Sequence, residues 1–91
     1  MDLKELRVEI DKIDDALVRL FCERMAVAAR IADYKKEQGL PILHPVREQE
    51  KLEDVAAKAG PEMAEYTKEL YRHLFELSRD YQSRRSCEVD K

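Results

Sequence analysis

Glycine and proline are scarce, with two Gly and three Pro in 91 residues, and that scarcity argues against a β-sandwich or a disordered chain. The two cysteines, Cys22 and Cys87, have neither a metal-ligand spacing nor the look of a disulfide pair, so both are expected as free thiols. No apolar run is long enough for a signal peptide or a membrane span, which makes the cytoplasm the default expectation. There is no excess of basic charge. Lys plus Arg number 17 against 20 Asp plus Glu, a net charge of -3, so nothing attracts the chain as a whole to nucleic acid or an acidic membrane. Any anion site must be local. Internal repeats, low-complexity tracts and period-2 stretches are absent as well, and with them any case for strands.

What is present is helix. Asp2 followed by Glu5 suits a capping box, and no Gly or Pro interrupts the chain until Gly39 and Pro41. Between them Leu3, Leu6, Ile10, Ile13, Leu17, Leu20, Arg24, Val27, Ile31 and Tyr34 recur at three- and four-residue spacing, the pattern of a helix packed along its whole length. Residues 38–44 read as a loop, and Pro45 suits the first turn of a second helix whose apolar face is Leu52, Val55, Ala56 and Ala59. After Gly60-Pro61 a third helix carries Met63, Thr67, Leu70, Leu74, Leu77 and Tyr81. The expected organisation is one all-α domain over residues 1–91, with helices at about 3–36, 45–58 and 62–84 and a frayed tail at 85–91.

Length then bears on assembly. The first helix would run roughly 50 Å at 1.5 Å per residue, the other two only about 20 and 35 Å. Two short helices cannot cover a long one, so a second copy is expected to cover the exposed apolar strip, giving a homodimer.

Chemistry-bearing residues are few. Arg24 stands in the apolar stripe, where a lone cation is costly to desolvate and calls for an anionic partner. Lys35, eleven residues on, lies about 20° around the helix and some 16 Å along it, so both cations point the same way. A salt bridge to a neighbouring helix, or snorkelling at the stripe's edge, would satisfy either without a ligand. Arg47 and Glu48 open the second helix, where Glu suits the helix dipole and Arg does not; a solvated charged face with Lys51, Asp54 and Lys58 is the plainer alternative. Ser78 and Gln82, four apart, share one edge of the third helix. Nothing resembles a nucleophile with its base, a metal cluster or a phosphate loop, so catalysis here would be noncovalent, without cofactor or metal.

The opening LRVEIDKIDDALVRLFCERMAVAARIADYKK, the entry HPVREQE into the second helix and the closing LYRHLFELSRDYQ together resemble the all-helical class of chorismate mutases, from Leu3 to about Gln82. The resemblance implies three helices per chain interlocked with a second chain as a six-helix dimer. It also implies an active site lined by Arg24, Lys35, Arg47, Glu48, Ser78 and Gln82, with Arg7 from the partner chain. Arg7 lies seventeen residues before Arg24, about 25 Å away, so the two cannot touch one small ligand from the same chain. The implied reaction is the rearrangement of chorismate to prephenate in phenylalanine and tyrosine biosynthesis. Arg24 and the partner's Arg7 would hold the side-chain carboxylate and Arg47 the ring carboxylate, with Lys35 and Gln82 on the ether oxygen as it gains charge. Glu48 and Ser78 would orient the ring hydroxyl and a carboxylate. The chain departs from the family pattern at His44, where an acidic residue is common and where neutral His is expected to cap a helix less well. Chain length suggests a free-standing enzyme. The competing readings are an isochorismate-pyruvate lyase of the same fold and a noncatalytic dimerisation or regulatory module, in which Arg24 would pair with an internal carboxylate and Lys35 would be exposed. A nucleic-acid-binding domain is disfavoured by the acidic balance.

Overall fold

The computed structural model describes the backbone of residues 1–89 and the side chains of residues 1–85. Its elements are α1 (Leu3–Gln38), α2 (Pro45–Ala59) and α3 (Ala64–Val89), with no strand among the described residues. Each boundary has a local cause. Asp2 caps α1 by accepting the Glu5 N–H at 2.9 Å. Gly39 closes it in the left-handed region (φ 69°), where the Leu40 N–H reaches back to the Lys35 carbonyl at 2.8 Å. Pro45 starts α2 behind a His44 cap, and Gly60 (φ 87°) returns its N–H to the Ala56 carbonyl at 3.2 Å.

Two boundaries differ from the sequence expectation. Glu62 and Met63 belong to the turn after Gly60-Pro61, with the Met63 N–H on the Gly60 carbonyl at 3.2 Å, so α3 begins at Ala64. Its far end lies beyond the expected Arg84. The helix continues to Val89, held near Arg84 and Arg85 by ion pairs to Asp80 (2.9 Å) and to Asp33 of α1 (3.0 Å). Residues 90 and 91 of the expected tail, and the side chain of Cys87, lie outside the described residues; Cys22 is an exposed free thiol.

α3 is the middle element, packing antiparallel on α2 and parallel on the C-terminal half of α1, as the pairs Arg24–Ser78, Ala28–Gln82 and Asp33–Arg85 show. The face α1 turns to α3 is its alanine face, Ala28, Ala29 and Ala32, rather than the stripe of large residues. Small side chains let the two backbones approach. On α3 the buried positions are Phe75, Ser78 and Gln82, while Leu70, Leu77 and Tyr81 of the expected stripe stay exposed; α2 contributes Leu52 and Val55.

Among the described residues no other helix packs on the N-terminal half of α1. Leu3, Ile10, Ile13 and Leu17 are 55–60% exposed, and no large side chain among the described residues is fully buried. The radius of gyration, 16.5 Å, exceeds the about 12 Å of a compact chain of this length, and the body measures 54 × 30 × 14 Å. No helix among the described residues is long and apolar enough to cross a membrane.

Candidate active site

The parallel pairing of α1 with α3, and the return of α2 beside α3, bring three surfaces to one cleft of about 210 Å³. Arg24, Ala28, Ile31 and Lys35 come from α1, Arg47, Glu48 and Lys51 from α2, and Phe75, Ser78, Arg79 and Gln82 from α3, with Ile42 and His44 of the connecting loop across the end. Six of the seven residues singled out from the sequence therefore line one cavity. Arg7 is exposed on the free half of α1, away from this cleft.

Arg24 is half-buried. Its guanidinium donates to Ser78 Oγ at 3.0 Å and lies over the rings of Tyr71 (5.7 Å) and Phe75 (5.8 Å), which meet edge to face. Among the described residues Arg24 makes no ion pair, nor does Lys35 or Arg47. Lys35 Nζ donates to the Ile42 carbonyl at 3.0 Å, which ties the loop to α1 and leaves two ammonium hydrogens for a ligand. The buried Gln82 amide donates to the Ala28 carbonyl at 2.8 Å; that bond orients the amide and leaves its second N–H. Buried Ser78, already accepting from Arg24, is also 3.7 Å from Met25 Sδ.

One carboxylate enters this cationic cleft, and it is neutralised. Glu48 is paired with Arg79, both about one-third exposed. Lys51 is drawn to Asp54 at 3.4 Å, and Asp54 is held below the usual carboxylate range chiefly by its hydrogen bond from Lys58 at 2.9 Å. At the α3 end, the Asp33 carboxylate raises the Arg85 guanidinium further above its ordinary value. The balance is an electropositive cleft with planar, forked donors and no anion of its own to spare, suited to a small ligand bearing carboxylates. No group of three or more His, Cys, Asp or Glu among the described residues is placed to hold a metal.

Sequence reasoning passed over three contributors, Tyr71, Phe75 and Arg79. Tyr71 and Phe75 form the wall beneath Arg24, and they fall with Ser78 and Gln82 at four-, three- and four-residue spacing, a second stripe beside the apolar one that could have been read. Arg79 had no signal beyond its charge, because its partner lies 31 residues earlier on another helix. His44, expected as a poor cap, does cap α2: its Nδ1 accepts the Arg47 N–H at 3.0 Å.

Comparison with known proteins agrees with this geometry. Residues 6–83 match the family model of chorismate mutase type II. The chain is 48% identical over 54 residues to the bifunctional chorismate mutase/prephenate dehydratase of Aquifex aeolicus, a match covering 59% of this chain and 15% of that protein. It is 41% identical over 46 residues to the chorismate mutase of Methanocaldococcus jannaschii, 50% of this chain and 46% of that one. It is 37% identical over 46 residues to the 4-amino-4-deoxychorismate mutase of Streptomyces venezuelae, again 50% of this chain and 45% of the relative. The matched stretch thus spans less than half the length of each of these relatives. Because the family model takes in nearly all of α1, the whole of α2 and α3 as far as the cleft reaches, this chain belongs to the chorismate mutase type II family.

Proposed function

We propose that the chain catalyses the rearrangement of chorismate to prephenate, as a homodimer whose two clefts are each completed by Arg7 of the other copy. The observation that carries the proposal is the convergence of Arg24, Lys35 and Arg47, none of them in an ion pair, on one cleft whose single carboxylate is already matched by Arg79. Chorismate is a dianion that reacts only when its enolpyruvyl arm folds over the ring. Arg24 and the partner's Arg7 take the carboxylate on that arm and Arg47 the ring carboxylate, fixing the folded conformer. The ether C–O bond then breaks as the new C–C bond forms, within one molecule and with no proton or electron supplied from outside. Negative charge grows on the ether oxygen, and Lys35 with the second N–H of Gln82 meets it. These two groups interact more strongly at the transition state than before it, so they carry the rate. Ser78 positions Arg24, and Glu48 addresses the ring hydroxyl.

The proposed dimer is supported by the uncovered stripe of α1, Leu3 to Leu20, and by the open Leu70, Leu77 and Tyr81 of α3, exposed apolar side chains of the kind that mark an interaction surface. Antiparallel pairing of two α1 helices brings Arg7 of one copy toward the Arg24–Lys35 region of the other. Phenylalanine and tyrosine biosynthesis and a cytoplasmic setting complete the proposal. The dimerisation-module reading is disfavoured: Arg24 meets Ser78 and two rings rather than a carboxylate, and Lys35 is half-buried on the Ile42 carbonyl.

The test is incubation with chorismate, following its ultraviolet absorbance and identifying the product, beside the Arg24→Ala protein. Prephenate from the parent and at least about a hundredfold less from the variant is expected, the loss of a charged carboxylate donor. Pyruvate and salicylate from isochorismate, with chorismate untouched, would replace the mutase by the lyase.

A further inference from the structure

We infer that the α2 end of the cleft reads the ring substituent of its ligand as a hydroxyl and discriminates against an amino group at the same position. The inference rests on the mutase reading and narrows its substrate. Its starting point is the tautomer of His44. Because Nδ1 accepts the Arg47 backbone N–H at 3.0 Å, that nitrogen carries no proton, and the ring's hydrogen sits on Nε2. His44 lines the cleft, so the polar group it has left to offer there is a donor. Glu48 follows four residues later on the same face of α2, with the Glu48 N–H on the His44 carbonyl at 3.1 Å, and it lines the cleft as an acceptor. Arg79 grips that carboxylate from α3 and cancels its charge without using all its lone pairs. His44 and Glu48 therefore present one donor and one acceptor side by side, at an end of the cleft with no net negative charge.

A hydroxyl satisfies both groups at once, accepting from Nε2–H and donating to Glu48. An amine, protonated at neutral pH, has only hydrogens to offer. It would confront Nε2–H donor to donor, and it would stand beside Arg47, Lys51 and Arg79 with the one nearby carboxylate already matched. Backbone capping and ligand reading are thus coupled in one imidazole: the cap decides which nitrogen carries the hydrogen, and the hydrogen decides which substituent fits.

The experiment compares kcat/KM for chorismate and 4-amino-4-deoxychorismate in the full chain and its variants. The parent is expected to prefer the hydroxyl compound by about tenfold or more, the cost of one unmet hydrogen bond in a charged site. His44→Asp keeps an acceptor for the Arg47 N–H but replaces the donor by a carboxylate, and the preference should fall by about tenfold or invert. Arg79→Leu, which uncovers the Glu48 charge, should shift the ratio the same way, and Arg79→Lys should restore it. A parent ratio near one, or a ratio unmoved by both His44→Asp and Arg79→Leu, overturns the inference and leaves the mutase reading intact. If neither compound is converted, the mutase reading fails, and the same ratio is taken from calorimetric dissociation constants; equal constants, or no binding, overturn the inference too. Nitrogen-15 NMR of the His44 ring in the parent supplies a readout independent of turnover: hydrogen on Nε2 is expected, and hydrogen on Nδ1 refutes the premise.

Discussion

Removing the Lys35 ammonium should separate the bond it makes in the structure from the role proposed for it in the reaction. In Lys35→Ala the Ile42 carbonyl loses the 3.0 Å bond that ties residues 39–44 to α1. A part-buried hydrogen bond of this kind contributes about 1 kcal/mol, so the melting temperature should fall by about 4 to 8 °C in a domain of this size. The proposed role concerns only the transition state. A donor aimed at growing charge in a largely desolvated site contributes about 3 to 4 kcal/mol, which corresponds to a rate loss of about a hundredfold to a thousandfold. The loss should fall on kcat, with KM changed far less, because in the proposed reading Arg24 and Arg47 still hold the two carboxylates. The assay is steady-state loss of chorismate absorbance at a temperature well below the variant's melting point, with kcat and KM fitted separately. A kcat within about threefold of the parent would refute the assignment. So would a loss confined to KM, which would make Lys35 a binding group.

Gln82→Glu places a carboxylate against the Ala28 carbonyl in a buried position, where the neutral form is favoured and the carboxyl's titration moves up in the folded protein. Both stability and activity of that variant should be retained at acid pH and decline as pH rises through the elevated value, while the parent's activity stays flat; a flat profile for the variant in a pH–rate series counts against the geometry. Ile13→Lys puts a charge in the centre of the uncovered α1 stripe and should convert the proposed dimer to monomer in sedimentation while abolishing activity; an active monomer would remove the need for a second chain. Asp54, held low by Lys58, adds stability that is present at neutral pH and lost as pH falls through its depressed titration. The difference in melting temperature between parent and Asp54→Asn should therefore be small near neutrality and vanish in acid, which thermal melts over a pH series would check.

The resting positions of the helices follow from chemistry a reader can see one turn at a time. Asp2, Gly39, Pro45 and Gly60 act within four or five residues of themselves, through caps and through φ values that only glycine takes readily, so three helices and their main breaks were legible from the sequence. The start of α3 was misjudged by two residues because Pro61 allows either a first turn or a turn before one, and local pattern does not choose. The far end of α3 runs past the expected Arg84 for another reason. Its hold on α1 is the Arg85–Asp33 pair, separated by 52 residues and invisible to periodicity.

The site divides in the same way. Arg24, Arg47, Ser78 and Gln82 could be singled out because each breaks a local rule, a cation in an apolar stripe or at the positive end of a helix, or a polar pair on a core edge; Lys35 stood out by pointing the same way as Arg24, and Glu48 through the resemblance of HPVREQE. The partners they found could not be. That Arg24 meets Ser78 and two aromatic rings rather than a carboxylate, that Arg79 answers Glu48, and that the alanine face of α1 rather than its large stripe turns to α3 all depend on how the helices rotate about their axes. Composition and periodicity determined the helices, their length mismatch and the absence of any overall basic charge. Only tertiary packing decided which of two stripes on each helix is spent inside the chain and which is left open, because that choice is made by the closeness small residues permit and by ion pairs between segments far apart in sequence.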